Sequence, residues 1–308
     1  MGVSDREMTS DTHTEMLPTI WADEARVAIE FAEVLSKLVD THYESQMAIG
    51  RVLEIPLRAN FNTQAKTEGV SSTINFQSQA GTAGTGTAGT SPLNAQLVTI
   101  DTYQYAAALL NAVVDAQSKY DEMERISHGI GYALMRGIEV SIAGLFASFS
   151  QIVGTLGADL DDAILRRAWQ YLRDAGVTEG ASWVFGPAAV ASLIGNNKFT
   201  SKDFMSGRSA IETAELPGIL NYPVYTSNLL NAPAAGQTEC ALLHKEAIIL
   251  VRQIKPTFKE DYLIRNNAWG VLGYDLYEAS EAVWVAETPA GDSDPTTVDS
   301  GAVLIRSA

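Results

Sequence analysis

The chain has 308 residues, 46% of them apolar, and a mean hydropathy of +0.01, enough to bury a sizeable core in one large or two smaller domains. Its 37 acidic residues outnumber 21 basic ones for a formal charge of −16; no Lys/Arg cluster breaks the excess, which excludes a free-standing nucleic-acid binder. Cys240 is the single cysteine, which excludes an intrachain disulfide framework.

Residues 1–16 are polar and read as a tail, and Met1 to Arg6 lack the basic-then-apolar layout of a secretory signal. Leu17-Pro18-Thr19-Ile20-Trp21 is an extended apolar lead-in to a helix predicted over Asp23 to Asp40. There Val27, Phe31, Val34, Leu35 and Leu38 fall on one face and Glu24, Arg26, Glu30, Glu33 and Lys37 on the other. Such a stripe needs a partner surface, within the chain or across a subunit boundary. A strand is predicted over Arg51 to Leu57. A polar, glycine-rich span follows, and Leu97-Val98-Thr99-Ile100 returns as a second strand. A loop of this length is uncommon in a compact domain and is expected to rest on a neighbouring subunit. Its low-complexity tip, Ala80 to Pro92, lacks the Gly-Lys-[Ser/Thr] of a phosphate loop.

Asp101 has the character of an N-cap, with Gln104 placed as in a capping box, so a long helix is predicted from Asp101 through Ile126. Its apolar face would carry Ala106, Leu109, Leu110, Val113 and Val114. Gly129, Gly131 and Gly137 weaken the pattern beyond, although Ala133, Leu134 and Ile138 keep a stripe. Val140 to Ala158 is uncharged but diluted by serine, glutamine, threonine and glycine, and reads as buried protein rather than a membrane span. A second helix runs from near Asp159 to Gly176, a good C′ residue, with Ile164, Ala168, Tyr171 and Leu172 inward and Arg166, Arg167 and Arg173 outward. Ser182-Trp183-Val184-Phe185 is a short buried strand that Gly186-Pro187 turns into another helix. Tyr222 to Thr226 is a strand with its proline near an edge. Ala241 to Ile254 reads as strand or mixed structure, and further strands fall within Phe258–Ile264 and Ala282–Ala286. Pro289-Ala290-Gly291-Asp292 suggests an extended polar tail over 287–308. Helices and strands mix without regular βαβ alternation, so the predicted class is α+β.

Signals of chemistry are weak. His13, His42, His128 and His244 form no metal-spaced pair, and no Gly-x-Ser-x-Gly elbow occurs. Cys240 has no activating motif and reads as an inert buried thiol. Asp159, Asp161 and Asp162 complement a helix dipole, and His244-Lys245-Glu246 reads as a solvated strand end. No catalytic, cofactor-binding or metal residue is singled out, and the chain is expected not to be an enzyme.

The order of these parts resembles the major capsid protein of tailed bacteriophages (the Hong Kong 97-type capsid fold), shared with the herpesvirus capsid floor and encapsulins. Leu17-Pro18-Thr19-Ile20-Trp21 is similar to the family's Pro-Glu-Ile-Trp lead-in to the N-terminal arm. Tyr43-Glu44 and Ile49-Gly50-Arg51-Val52-Leu53-Glu54-Ile55-Pro56 resemble its Gly-Asp-Thr-Val-x-Ile-Pro lead into an extended loop. Asp101 to Phe149 is similar to the spine helix and its continuation. Trp183-Val184-Phe185-Gly186-Pro187, then Leu193, resembles the Val-x-His-Pro step, with Gly186 in place of histidine. Leu216 to Asn228 is the best single match, to Gly-x-Pro-Val-x-x-Ser-Asn. His244-Lys245-Glu246-Ala247 and Trp269-Gly270-Val271 resemble the closing peripheral-domain strands.

The resemblance implies a phage major capsid fold with N-terminal arm (1–49), extended loop (50–100), long spine helix and part of the peripheral domain (101–157), axial domain (158–243), and peripheral-domain return with C-terminal tail (244–308). It implies self-assembly as hexamers and pentamers into an icosahedral shell that encloses double-stranded DNA without sequence-specific binding. No cofactor and no membrane are implied. A separate scaffolding protein, a portal and a decoration protein are the expected partners, and the expected location is the virion, with assembly in the host cytoplasm. Candidate inter-subunit contacts are Trp21, Val27, Phe31, Leu35, Lys66 and Glu68. Some members of the family join a loop lysine to a neighbour's asparagine. Lys66 beside Glu68 reads instead as a solvated ion pair, and Asn266 and Asn267 are marked by no motif, so a non-covalent lattice is expected. Two rivals remain: an encapsulin-like compartment, and a soluble α+β enzyme whose site is assembled from distant residues.

Overall fold

The computed structural model describes residues 33–47, 49–56, 95–117, 122–196, 218–234, 237–285, 297–298 and 301–307. In chain order, β1 (Val52–Pro56) and β2 (Ala95–Thr99) pair antiparallel, with Val52 opposite Thr99. Then come β3 (Thr102–Asn111), α1 (Ala112–Gln117) and α2 (Glu122–Leu145). β4 (Ile152–Gly154), α3 (Asp162–Asp174), β5 (Ala181–Phe185), α4 (Pro187–Gly195) and β6 (Val224–Thr226) follow. The chain continues with β7 (Thr238–His244), β8 (Ile248–Leu263) and β9 (Ala268–Glu281). It closes on β10 (Trp284–Val285), β11 (Thr297–Val298) and β12 (Ala302–Ser307).

Two larger sheets organise these elements: a five-stranded one in the order β4-β12-β7-β5-β6, and a three-stranded one in the order β3-β9-β8. The five-stranded sheet separates two cores. Cys240, Leu242, Trp183, Phe185, Val303 and Ile305 project to the side of α3 and α4. Ala241, Leu243, Val184, Ala302 and Leu304 project to the other side, among Ile138, Ile142, Phe146 and Leu250. A strand covered on both faces reads as a continuous apolar run, which is what β5, β7 and β12 show. The three-stranded sheet has α2 on one face, where Ile130 and Leu134 meet Val271 of β9 and Ala106 and Ala108 of β3. The approach is close: a Cβ at Gly273 would overlap Ile130.

Several expectations hold. The helix expected from near Asp159 begins at Asp162, capped by Asp161, whose carboxylate accepts the N–H of Asp162 at 2.7 Å. Gly176 takes φ +85°, and the Val177 and Gly176 N–H groups close on the Leu172 and Arg173 carbonyls at 3.1 and 3.0 Å, a Schellman ending. Pro187 opens α4 at its first turn, and β6 is a sheet edge, preceded by Pro223.

Other expectations are corrected. The helix predicted from Asp101 is a strand as far as Asn111. Tyr103, Tyr105, Ala107 and Leu109 alternate with Gln104, Ala106 and Ala108, and pairing with β9 from Tyr277 to Ala268 overrides local helix propensity. Gln104 is therefore no capping residue; it donates to the Leu134 carbonyl and to Asp275. The long helix is α2, and it runs through Gly129, Gly131 and Gly137 without a break. The polar tail expected over 287–308 is also corrected. β12 lies between β4, parallel, and β7, antiparallel, with Val303, Leu304 and Ile305 buried. The separate strand within Phe258–Ile264 is the far end of β8, which hairpins directly into β9.

Most of the helix predicted over Asp23 to Asp40 lies outside the described residues. Its end is no α-helix: Leu35–Lys37 is a single 3-10 turn, and Asp40 bridges to Ile249 of β8. Glu139, fully buried on α2, causes this. Its carboxylate accepts the N–H groups of Val34, Leu35 and Ser36 at 3.3, 2.9 and 2.8 Å, which fixes that turn against α2. With the 3-10 turn that follows, α2 spans Glu122–Ser148 and is long and apolar enough to cross a membrane by length and composition. Here one side of it lies on β3 and β9.

A tail and a core strand respond differently to truncation of a side chain. Leu304→Ala should destabilise the chain by about 2–5 kcal/mol, read as a lower urea midpoint; an unchanged midpoint would return β12 to the status of a tail.

Candidate functional site

Among the described residues no group of three or more His, Cys, Asp or Glu side chains could hold a metal ion. Asp161 is spent on the α3 cap. Cys240 is buried between the Gly186 N–H at 3.4 Å and the Ser307 hydroxyl at 3.8 Å, and burial pushes its thiol pKa up, away from a reactive thiolate. His244 ends β7, its Nδ1 accepting the Glu246 N–H at 3.3 Å.

The feature that stands out is the face of the three-stranded sheet turned away from α2. Register places Tyr103 beside Leu276, Tyr105 beside Tyr274, Ala107 beside Leu272 and Leu109 beside Gly270. On the far side of β9, Lys259 lies beside Leu272 and Asp261 beside Gly270. Directly opposed residues share a face. Tyr103, Tyr105 and Leu109 are 56%, 67% and 57% exposed. The Tyr103 ring sits 6.2 Å from Tyr274 and 6.4 Å from Tyr105, and Lys259 Nζ lies 5.4 Å from the Tyr274 ring centre. Towards the hairpin end, Ala107, Leu109, Leu263, Gly270 and Leu272 line an apolar depression of about 640 Å³ that includes Lys259 and Asp261. Beyond it Ile264 is exposed. Exposed apolar faces of this kind are where interaction surfaces concentrate.

The predicted contact residues fare differently. Leu35 is inside the chain's own core with Ile138 and Ile142 and is not available to a neighbour. Trp21, Val27, Phe31, Lys66 and Glu68 lie outside the described residues, as does the glycine-rich stretch Ala80 to Pro92. Asn266 and Asn267 form the β8–β9 turn, with Asn267 at φ +47° and its side-chain oxygen accepting the Tyr262 hydroxyl at 2.5 Å. Tyr103 and Tyr105 fall within the helix predicted from Asp101, so the sequence does not bring them together with Tyr274. The signal that marks them is the Tyr-x-Tyr-x-Ala-x-Leu alternation of 103–109.

No family model matches the sequence, and no curated protein matches it. Solved structures do. A chain of Mycobacterium phage Che8 superposes with a TM-score of 0.71 at 18% identity, over 94% of this chain and 97% of that one. A chain from the capsid structure of the cyanophage P-SCSP1u gives 0.70 at 14% identity, over 96% and 94%. One from the capsid of an empty GTA particle gives 0.63 at 10% identity, over 97% and 98%. At these identities the likeness is one of fold, and it leaves almost no part of either chain unmatched: this chain has the phage major capsid fold.

Proposed function

We propose that the chain is a major capsid protein that self-assembles as hexamers and pentamers into an icosahedral shell around the double-stranded DNA genome of a tailed phage. The observation that carries this reading is the completeness of the match, since capsid chains share the fold over 96 or 97% of the sequence. In this reading the role is structural rather than catalytic and the location is the virion, with assembly in the host cytoplasm. Scaffolding, portal and decoration proteins are the expected partners.

The open face of the β3-β9-β8 sheet is the surface proposed to meet another copy. Each copy carries a formal charge of −16, so copies repel over about the 8 Å Debye length at physiological salt. They can approach closely only where charge is sparse or balanced. The open face offers three tyrosines and several aliphatic side chains, with Lys259 and Asp261, one of each sign, beside the apolar depression. The segment with Trp21, Val27 and Phe31 and the loop with Lys66 and Glu68 are proposed to reach neighbours as arm and extended loop. The lattice is proposed to be non-covalent.

Electron microscopy of the purified protein should show closed icosahedral particles. Particles filled with a protein cargo would favour a cellular compartment, and a protein that stays as free subunits under all conditions would contradict a shell. Tyr105→Asp leaves the α2 side of the sheet untouched. The variant should keep the wild-type unfolding midpoint within about 0.5 kcal/mol yet sediment as subunits or small oligomers. Normal particle yield would remove the open face from the assembly contacts.

A further inference from the structure

Asp275 lies midway along β9 on the face covered by α2 and is 1% exposed. Its Oδ2 accepts an N–H of Gln104 at 2.9 Å, and the same carboxamide nitrogen donates to the Leu134 carbonyl of α2 at 2.9 Å. Gln104 can reach both because residue 137 is glycine; a Cβ there would overlap the carboxamide oxygen. One side chain of β3 thus ties β9 to α2. Asp275 Oδ1 has no hydrogen-bond partner among the described residues. A buried carboxylate with a bare oxygen is costly in its ionised form.

The surrounding groups do not repair this. From β8 comes Arg252, whose guanidinium is held by Glu44 at 2.6 Å. From β9 come Tyr277, its hydroxyl bonded to Ser141 of α2 at 2.7 Å, and Glu278, held by Thr102 at 2.9 Å. Beside Glu278, just before β3, stands Asp101, a second carboxylate. From α2 come the Leu134 carbonyl, Gly137 and Ser141; Glu139 is spent on Val34 to Ser36, and Arg136 is exposed. Burial raises the Asp275 pKa against the smaller lowering effects of Gln104 and Arg252. Burial, with Asp101 adding to it, raises Glu278 as well.

We propose that the seam between α2 and β9 is a proton-sensitive latch, held shut while Asp275 is neutral and loosened at Gly137 when Asp275 ionises and its bare oxygen draws in water. The inference rests on the seam alone and stands whether or not the chain forms shells. The latch includes β3 and β9, two of the three strands that carry the open face, so proton loss would alter the surface offered to a partner. An acid whose pKa is raised on folding gives stability that is fully present below its unfolded value of 3.8 and is lost as pH rises through the folded value.

The test is urea unfolding of the full-length chain from about pH 4 to about pH 8, for wild type, Asp275→Asn and Glu278→Gln. Amide exchange across 134–142 is followed in parallel and corrected for its intrinsic pH dependence. The wild-type midpoint should fall as pH rises. Asp275→Asn should remove part of that fall and exceed wild type at neutral pH, with Glu278→Gln accounting for a separate part. Exchange across 134–142 should quicken with pH in wild type and stay flat in Asp275→Asn. A variant midpoint that runs parallel to wild type, or below it at neutral pH, overturns the latch. So does wild-type exchange across 134–142 that does not change with pH, a readout that stands even if the variant fails to fold.

Discussion

The seating of α2 on the β3-β9-β8 sheet sets what the rest of the molecule can do. Ile130 and Leu134 reach Val271 because Gly273 presents no side chain between them, and Gln104 threads to Asp275 because Gly137 presents none either. The helix therefore covers one face of a long sheet closely; on the other, β1 and β2 cover the end that carries Ile249, Val251 and Leu276, and the described residues leave the Tyr105–Leu109 stretch uncovered. The five-stranded sheet is the opposite case. β5, β7 and β12 are apolar on both sides, and both sides are covered within the chain, by α3 and α4 on one side and by the Ile138–Ile142–Phe146 ridge on the other. Among the described residues one sheet is covered on both faces; the other is covered on one face and on only part of the second.

That asymmetry connects fold to proposed function. Burial of a Leu side chain contributes about 1.5–3 kcal/mol, aromatic side chains add large contact areas, and the open face holds Tyr103, Tyr105, Leu109 and Tyr274 close together. A chain of high negative charge that exposes such a face gains by covering it only where a partner brings apolar surface without like charge. In the proposed shell the partner is another copy, and Lys259 and Asp261 give the face a cation and an anion at neighbouring positions of one strand.

Much of this was legible in the residues. Asp161, Gly176 and Pro187 mark helix ends by local backbone chemistry, and the structure places helix ends there. Trp183-Val184-Phe185 reads as a buried strand because nothing polar interrupts it. The resemblance to phage capsid proteins rests on the order of such local signals, and the fold agrees. What was not legible depends on distant partners. Residues 102–111 satisfy helical and alternating patterns alike, and only pairing along β9 decides between them. Residues 302–307 look like the end of a polar stretch until β7 and β4 are set on either side. Leu35 sits on an apolar stripe, but Glu139, far away in sequence, pulls its backbone into the core. The open face was missed for the same reason as β3, since a tyrosine on a misassigned helix has no sheet neighbours to reveal the patch.

The central claim is that the Tyr103–Leu109 part of this face, which no described residue of the single chain closes, is closed by another copy in the assembled state. Hydroxyl-radical footprinting of the peptide carrying Tyr103, Tyr105 and Leu109, read by mass spectrometry before and after assembly, tests it most directly. The account predicts strong protection of these side chains in the particle relative to the free subunit. Equal oxidation in the two states would show that the open face stays open and that the copies are held together elsewhere.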